Sequence, residues 1–267
     1  MTPGPWSSKV VRVYAVLIAA ALWGAATGLL VRRAAYRLSV EPEEPWRRAC
    51  ESGHAFAAGL RGWLGPVHCA TCTATAAPAG PAPRRAWAVP VVTASGCAAL
   101  AWATGPRPEL AVWLSAAPLL VLLATVDVRV HRLPDHLTLP LAAAVPVLLG
   151  GVALLPGHAG SWKTALLGGL VLGGAYLVLF LVNPNGLGFG DVKLALPLGV
   201  ALGWYGWDVL FVGAFAGFLL GAMYGLGLIA LRRAGRKTAI PFGPFMIAGA
   251  ATGLLLGALA ASGGSTV

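Results

Sequence analysis

Long apolar stretches alternate with short polar connections along most of the chain. The first stretch runs from Val10 to Val31, and about 20 residues of helix are enough to cross a bilayer. A secretory signal peptide is the competing interpretation, but its apolar core is only about 7–15 residues long. The length of this stretch therefore favours a retained membrane helix.

Seven further apolar stretches follow the first, and each is predicted to be a membrane span from its length and its lack of charge. The sixth span of the chain is short, which predicts a tilted or partial crossing. Together the stretches predict an all-α polytopic membrane protein with about eight transmembrane helices. The seven later spans cover residues 86–104, 110–126, 138–155, 164–183, 192–204, 208–231 and 244–262.

Charged residues are scarce and unevenly placed. Only 10% of the residues are charged and 58% are hydrophobic, whereas soluble domains carry about 25% charged residues, so a soluble enzyme is excluded. The formal net charge of +10 would suggest nucleic-acid binding in a soluble chain. With eight spans, however, most basic residues fall on one side of the membrane, and the positive-inside rule makes that side the cytoplasm. The sequence therefore predicts a multi-pass inner (plasma) membrane protein in contact with lipid, with both termini outside and no nucleic-acid partner.

The segment that follows the first span differs in composition from the rest of the chain. Residues 32–85 contain eight arginines, four glutamates and three of the four cysteines. Its later part is rich in Ala, Pro and Gly, as linkers are. We therefore expect a first transmembrane helix (1–31), a small cytoplasmic domain or loop (32–85) and a seven-helix membrane domain (86–267).

Three acidic residues are predicted at the cytoplasmic ends of spans. Asp127 directly follows an apolar run, Asp135 lies eight residues further on, and Asp191 opens the sixth span inside the glycine-rich stretch Gly186–Lys193. An ionisable side chain at such a depth is costly and by default marks a functional site, and glycine lets a substrate backbone approach closely. For any one of these aspartates, helix capping or solvation in a loop is the alternative interpretation.

Two carboxyl groups brought together can share one proton, because like charges at contact distance do not both ionise cheaply. The ionised group then takes a proton from water while the protonated group polarises a peptide carbonyl, which is aspartic-protease chemistry. The proton belongs to the pair rather than to either residue. Because a helix N-terminus is the positive end of the helix dipole, Asp191 is expected to be the more often ionised member.

Three sequence elements resemble the type IV prepilin leader peptidases, a family of membrane aspartic proteases. Residues 188–191 read G-F-G-D and match the GxGD motif, Asp127–Pro140 resembles the family's first-aspartate loop, and Ile240–Phe245 resembles its late loop. The resemblance covers about residues 110–262, and the order of the three elements makes it specific.

The resemblance implies that Asp127 and Asp191 form the catalytic pair and that the peptidase reaction needs no cofactor. It also implies that the substrates are prepilin or pseudopilin precursors, whose short basic leader is removed on the cytoplasmic side after a glycine. Many members then N-methylate the new terminus with S-adenosylmethionine, so that cofactor is expected only if methylation is retained. The residues of the motifs that would support the catalytic pair are Gly188, Gly190, Lys193, Pro134 and Asp135.

The N-terminal third matches the family less well. Longer members carry two CxxC pairs that bind zinc, whereas residues 69–72 form the only complete pair here. Cys50, His54, Cys69 and Cys72 make up a ligand set for a tetrahedral zinc site, and a reduced cytoplasmic setting favours a metal over a disulfide. The alternative is a degenerate domain without metal, which leaves methyltransferase activity open.

Two other classes of function remain compatible with an apolar chain that carries buried acids. A proton-coupled transporter also uses intramembrane carboxylates, but it would place them near the middle of the membrane, whereas these acids are predicted at the inner face. An inactive scaffold of a pilus or secretion assembly would have the fold without the activity.

Overall fold

The structure is a computed structural model that describes residues 5–41, 43–67, 71, 87–184, 186–232 and 240–263. Within these residues the regular structure is helical, and the only strand-like feature is one isolated bridge between Ala49 and Ala55. The helices are α1 (Pro5–Leu38), α2 (Ala88–Thr104), α3 (Leu110–Val130), α4 (Asp135–Val152), α5 (Trp162–Val182), α6 (Phe189–Trp204), α7 (Trp207–Ala230) and α8 (Gly243–Gly263), with a short 3-10 helix at Leu60–Gly62.

Six of the eight helices are long and apolar enough to cross a membrane, which confirms the prediction of an all-α polytopic membrane protein. The two shorter ones are α2, with 17 residues, and α6, with 16. Several helices extend beyond the predicted apolar stretches, because polar and basic residues are good helix formers at helix ends. Helix α1 continues past Val31 to Leu38, and α3 continues past Val126 so that Asp127 lies inside it.

The short helix α6 lies at the centre of the bundle. It contacts α4, α5, α7 and α8, and the stretch from Leu194 to Trp204 is buried except for a half-buried Leu196. A helix that is apolar all round is expected to be buried on every side. Burial by protein therefore accounts for a helix as short as α6, whose 16 residues rise about 24 Å.

Glycines allow the closest helix contacts. A Cβ placed on Gly199 of α6 would lie 2.5 Å from the carbonyl oxygen of Gly168 on α5. Between α7 and α8, a Cβ on Gly253 would lie 2.9 Å from the Cα of Gly213. Small residues let helix backbones approach closely in membranes. Glycine-dependent packing brings α5 against α6 and α7 against α8.

The α3–α4 corner, the turn before α6 and the first residue of α8 meet at one end of the bundle. The segment after α1 lies at the same end, where the guanidinium of Arg132 donates to the Glu41 carbonyl and the rings of Trp46 and His136 are 5.0 Å apart. That segment folds around the end of α1. Arg37 donates to the Gly62 carbonyl.

Candidate active site

Asp127 lies in the last turn of α3 and is 5% exposed. Its Oδ2 accepts a hydrogen bond from the backbone N–H of Gly243, at 2.9 Å. Gly243 is the first residue of α8, and the first N–H groups of a helix have no partner within it. The carboxyl of Asp127 is therefore held by the N-terminus of a helix that is remote in sequence.

The chain turns sharply just after Asp127. Helix α3 ends at Val130, and His131 takes a left-handed conformation with φ of 50°. Its N–H donates to the Asp127 carbonyl at 2.8 Å, as in a helix that ends with a left-handed residue. Pro134 is the N-cap of α4 in an extended conformation, which suits the fixed φ of proline. Two helices thus meet at a tight corner beside Asp127.

Asp191 is the third residue of α6 and is 7% exposed. Its Oδ2 accepts a hydrogen bond from the backbone N–H of Gly188 at 3.1 Å, and its own N–H donates to the Gly188 carbonyl at 3.0 Å. This reciprocal pair closes the start of the helix in the manner of a capping box. The carboxyl is therefore fixed by the glycine-rich turn that precedes it.

Leu133 is the contact that joins the two aspartate-bearing regions. A Cβ on Gly190 would lie 3.0 Å from the Leu133 Cβ, and a Cβ on Gly243 would lie 3.5 Å from the Leu133 Cδ2 and 2.8 Å from the Oδ2 of Asp127. Both positions need glycine because a larger residue would press on this buried leucine or on the carboxyl itself.

Asp127 and Asp191 are close enough for their charges to act on one another. Both carboxyls are buried, and each accepts one backbone hydrogen bond. Two such groups can hold one proton between them, which supplies an acid and a base at one place. The expectation that Asp191 is the more often ionised stays a prediction, because Asp127 also lies beside a helix N-terminus.

The other residues named from the motifs lie around this pair. Gly188 and Gly190 form the turn at Asp191, and Pro134 caps α4. Lys193 Nζ lies 2.6 Å from Asp135 Oδ1 in an ion pair between α6 and α4. Their roles in catalysis stay predictions.

Sequence reasoning missed three residues of this region. Leu133 and Gly243 fall inside the motifs that carry the family resemblance, and their place in those motifs is the signal that could have identified them. Tyr176 of α5 is 2% exposed, packs against the rings of Phe218 and Phe242, and lies within electrostatic range of Asp191. No sequence pattern marks it, because a tyrosine in an apolar span is ordinary.

The predicted zinc ligands are only partly within the described residues. The Sγ of Cys50 lies 3.7 Å from the Nδ1 of His54, and their role as zinc ligands stays a prediction. Cys69 and Cys72 lie outside the described residues. Among the residues that the structure does describe, no group of three or more His, Cys, Asp or Glu side chains could hold a metal.

The comparison with known families rests on the core of the bundle. Residues 114–226 match the sequence model described as the Type IV leader peptidase family, and this range includes both buried aspartates. This match covers 113 of the 267 residues of the chain. The resemblance seen in the sequence motifs is thereby confirmed.

Curated relatives agree with this match. This chain is similar to prepilin leader peptidase/N-methyltransferases of several bacteria. The protein of Aeromonas salmonicida (strain A449) is 38% identical over 130 residues, and the match covers 48% of this chain and 43% of that relative. For Pseudomonas putida the identity is 34% over 163 residues, with 57% and 53% covered. The chain therefore spans about half the length of the curated relatives it matches. No solved structure matches it.

Proposed function

We propose that this protein is a membrane aspartic endopeptidase that removes the leader peptide from prepilin or pseudopilin precursors. The observation that carries the proposal is the pair of buried carboxyls, Asp127 and Asp191. They come from separate helices, each accepts a backbone N–H, and their charges interact. The substrate class follows from the names of the relatives, which are prepilin leader peptidases.

The pair would act on water and on the scissile peptide together. The ionised carboxylate takes a proton from water as the water oxygen adds to the carbonyl carbon, and the protonated carboxyl donates its proton to the carbonyl oxygen. Collapse of the tetrahedral intermediate breaks the C–N bond. The leaving amine takes a proton from one carboxyl while the other carboxylate takes a proton from a hydroxyl of the intermediate, so the pair again holds one proton. No metal or cofactor takes part in these steps.

The end of the bundle that carries Asp127 and Asp191 is proposed to face the cytoplasm, with the protein in the inner membrane. Arg129, Arg132, Lys193 and Arg232 lie at or next to the helix ends on this side, and basic residues favour the cytoplasmic side. A substrate with an apolar segment would lie along the bundle and present its leader at this end.

Methylation of the new N-terminus is a separate activity, which can be measured on the same cleaved product. The relatives are named N-methyltransferases as well as peptidases. We propose methyl transfer with S-adenosylmethionine only as an activity to be measured, with the mass of the mature terminus as the readout. A zinc site at Cys50, His54, Cys69 and Cys72 belongs to the same proposal.

The test is co-expression with a prepilin precursor. Wild type should shorten the precursor, and Asp127→Asn and Asp191→Asn should each leave it full length. Asp208→Asn is the matched control, because Asp208 is an exposed aspartate in the first turn of α7. Cleavage by both active-site variants would refute the peptidase, and a wild type that never cleaves any precursor would favour a transporter or an inactive scaffold.

A further inference from the structure

Lys193 and Asp135 link the two regions that carry the buried aspartates. The distance from Lys193 Nζ to Asp135 Oδ1 is 2.6 Å. Asp135 is the first residue of α4, at the corner that follows Asp127, and Lys193 lies in the first turn of α6, two residues after Asp191. The ion pair therefore connects the same two segments that carry the carboxyl pair, and it lies outside the buried site.

The lysine reaches this position because of helix geometry. Residues two apart on a helix do not share a face, so a buried Asp191 leaves Lys193 pointing away from the site and towards α4. Its ammonium also lies 4.8 Å from the ring centroid of Phe189, whose ring packs against Phe180 of α5 at 5.4 Å. A cation held by a carboxylate and an aromatic face has a defined position.

The exposure of the pair argues against a mainly stabilising role. The side chain of Asp135 is 53% exposed and that of Lys193 is 19% exposed, and ion pairs open to solvent contribute little to folding. Catalysis depends far more steeply on geometry, since a misplacement of about 1 Å can cost roughly 10²-fold in rate. A contact with little effect on stability can therefore have a large effect on rate.

We propose that the Lys193–Asp135 ion pair is a positioning clasp that sets the spacing of Asp127 and Asp191. It fixes the start of α4, and with it Leu133 and the corner after α3, against the first turn of α6. This inference rests on the proposed peptidase function for its rate effect. The clasp itself takes no part in proton transfer.

Three variants separate positioning from other roles. Lys193→Met keeps an unbranched side chain, one atom shorter, without the charge. Asp135→Asn keeps the shape of the partner, and the double variant Lys193→Asp with Asp135→Lys reverses the pair. Each single variant should lower kcat for prepilin cleavage about tenfold with KM and the melting temperature in detergent unchanged. The reversed pair should recover most of the lost kcat.

Hydrogen–deuterium exchange provides a readout that does not depend on cleavage. In Lys193→Met, amide exchange should increase in residues 128–137 and 186–192, and the reversed pair should return it to the wild-type level. Lys163→Met is the matched control, because Lys163 is exposed in the first turn of α5, and it should change neither kcat nor exchange in these segments.

The outcomes distinguish this inference from the proposed function. If Asp127→Asn and Asp191→Asn still cleave, the peptidase proposal fails, whereas the exchange measurement still reports on the clasp. If exchange in the two segments is unchanged in Lys193→Met, the clasp is refuted whatever the cleavage result. Loss of kcat that the reversed pair does not restore also overturns it, because the lysine charge itself would then be needed.

Discussion

Replacing Gly243 with alanine should move the carboxyl of Asp127 without removing its hydrogen-bond donor. The backbone N–H of Gly243 would remain, but the added Cβ would lie 2.8 Å from Oδ2 and 3.4 Å from Cγ of Asp127. An ordinary contact of this kind is about 3.4 Å or more, so the carboxyl must shift by about 0.6 Å. Leu133 lies 3.5 Å from the same Cβ, so the alanine cannot relieve the contact by moving towards Leu133.

The size of the effect follows from that displacement. If a misplacement of about 1 Å costs roughly 10²-fold in rate, then about 0.6 Å costs on the order of tenfold to twentyfold. Gly243→Ala should therefore lower kcat for prepilin cleavage by that factor and leave KM close to the wild-type value. Cleavage is measured with purified enzyme and precursor in detergent micelles, by gel shift over time.

Gly227→Ala on α7 is the matched control, because a Cβ at Gly227 meets no atom within 4 Å. It should retain wild-type kcat, and both variants should unfold within a few degrees of the wild type. A Gly243→Ala enzyme that cleaves within twofold of wild type, while correctly folded, would refute the role of this contact in placing Asp127.

Further predictions concern stability and metal content. Gly199→Ala would place a Cβ 2.5 Å from the Gly168 carbonyl oxygen. It should lower the free energy of unfolding by about 1–3 kcal/mol, measured by thermal unfolding in detergent, and an unchanged melting temperature would contradict this prediction. Glu109 is fully buried and its carboxylate lies 3.8 Å from the Arg107 guanidinium. Glu109→Leu should therefore lower the free energy of unfolding by about 3 kcal/mol in the same assay, and a stability equal to wild type would mean that the ion pair is dispensable. If the zinc proposal is right, Cys50→Ser should lower the zinc content of the purified protein measured by mass spectrometry, whereas wild type without zinc would dismiss the site.

The membrane helices could be predicted from the sequence because their signal is local. A run of about 20 apolar residues leaves few alternatives to a spanning helix, and five of the seven later predicted spans correspond to helices long and apolar enough to cross a membrane. The central position of α6 could not be predicted in the same way. Hydropathy does not distinguish a residue that faces lipid from one that faces protein, and both surroundings are apolar.

The two aspartates could be selected from the sequence because charge inside an apolar chain is conspicuous. The contacts that fix them are different, because they depend on connections that are distant in sequence. The N–H that binds Asp127 comes from Gly243, 116 positions away, and Leu133 touches both Gly190 and Gly243 only after the bundle has formed. A glycine whose role depends on the absent Cβ gives no local sequence signal of the atoms that a Cβ would contact.

The arrangement of helix ends bears on how the carboxyl pair divides its proton. Asp191 lies at the positive end of α6, whereas Asp127 lies both at the negative end of α3 and against the positive end of α8. Each helix end contributes about 0.3–1 kcal/mol, and at Asp127 the two contributions oppose one another. Which carboxyl is more often ionised stays a prediction. Because helix-end effects of this size are small, the proton is expected to belong to the pair, so that the two carboxyls act as one unit. Replacing either one by asparagine should therefore stop cleavage to the same extent.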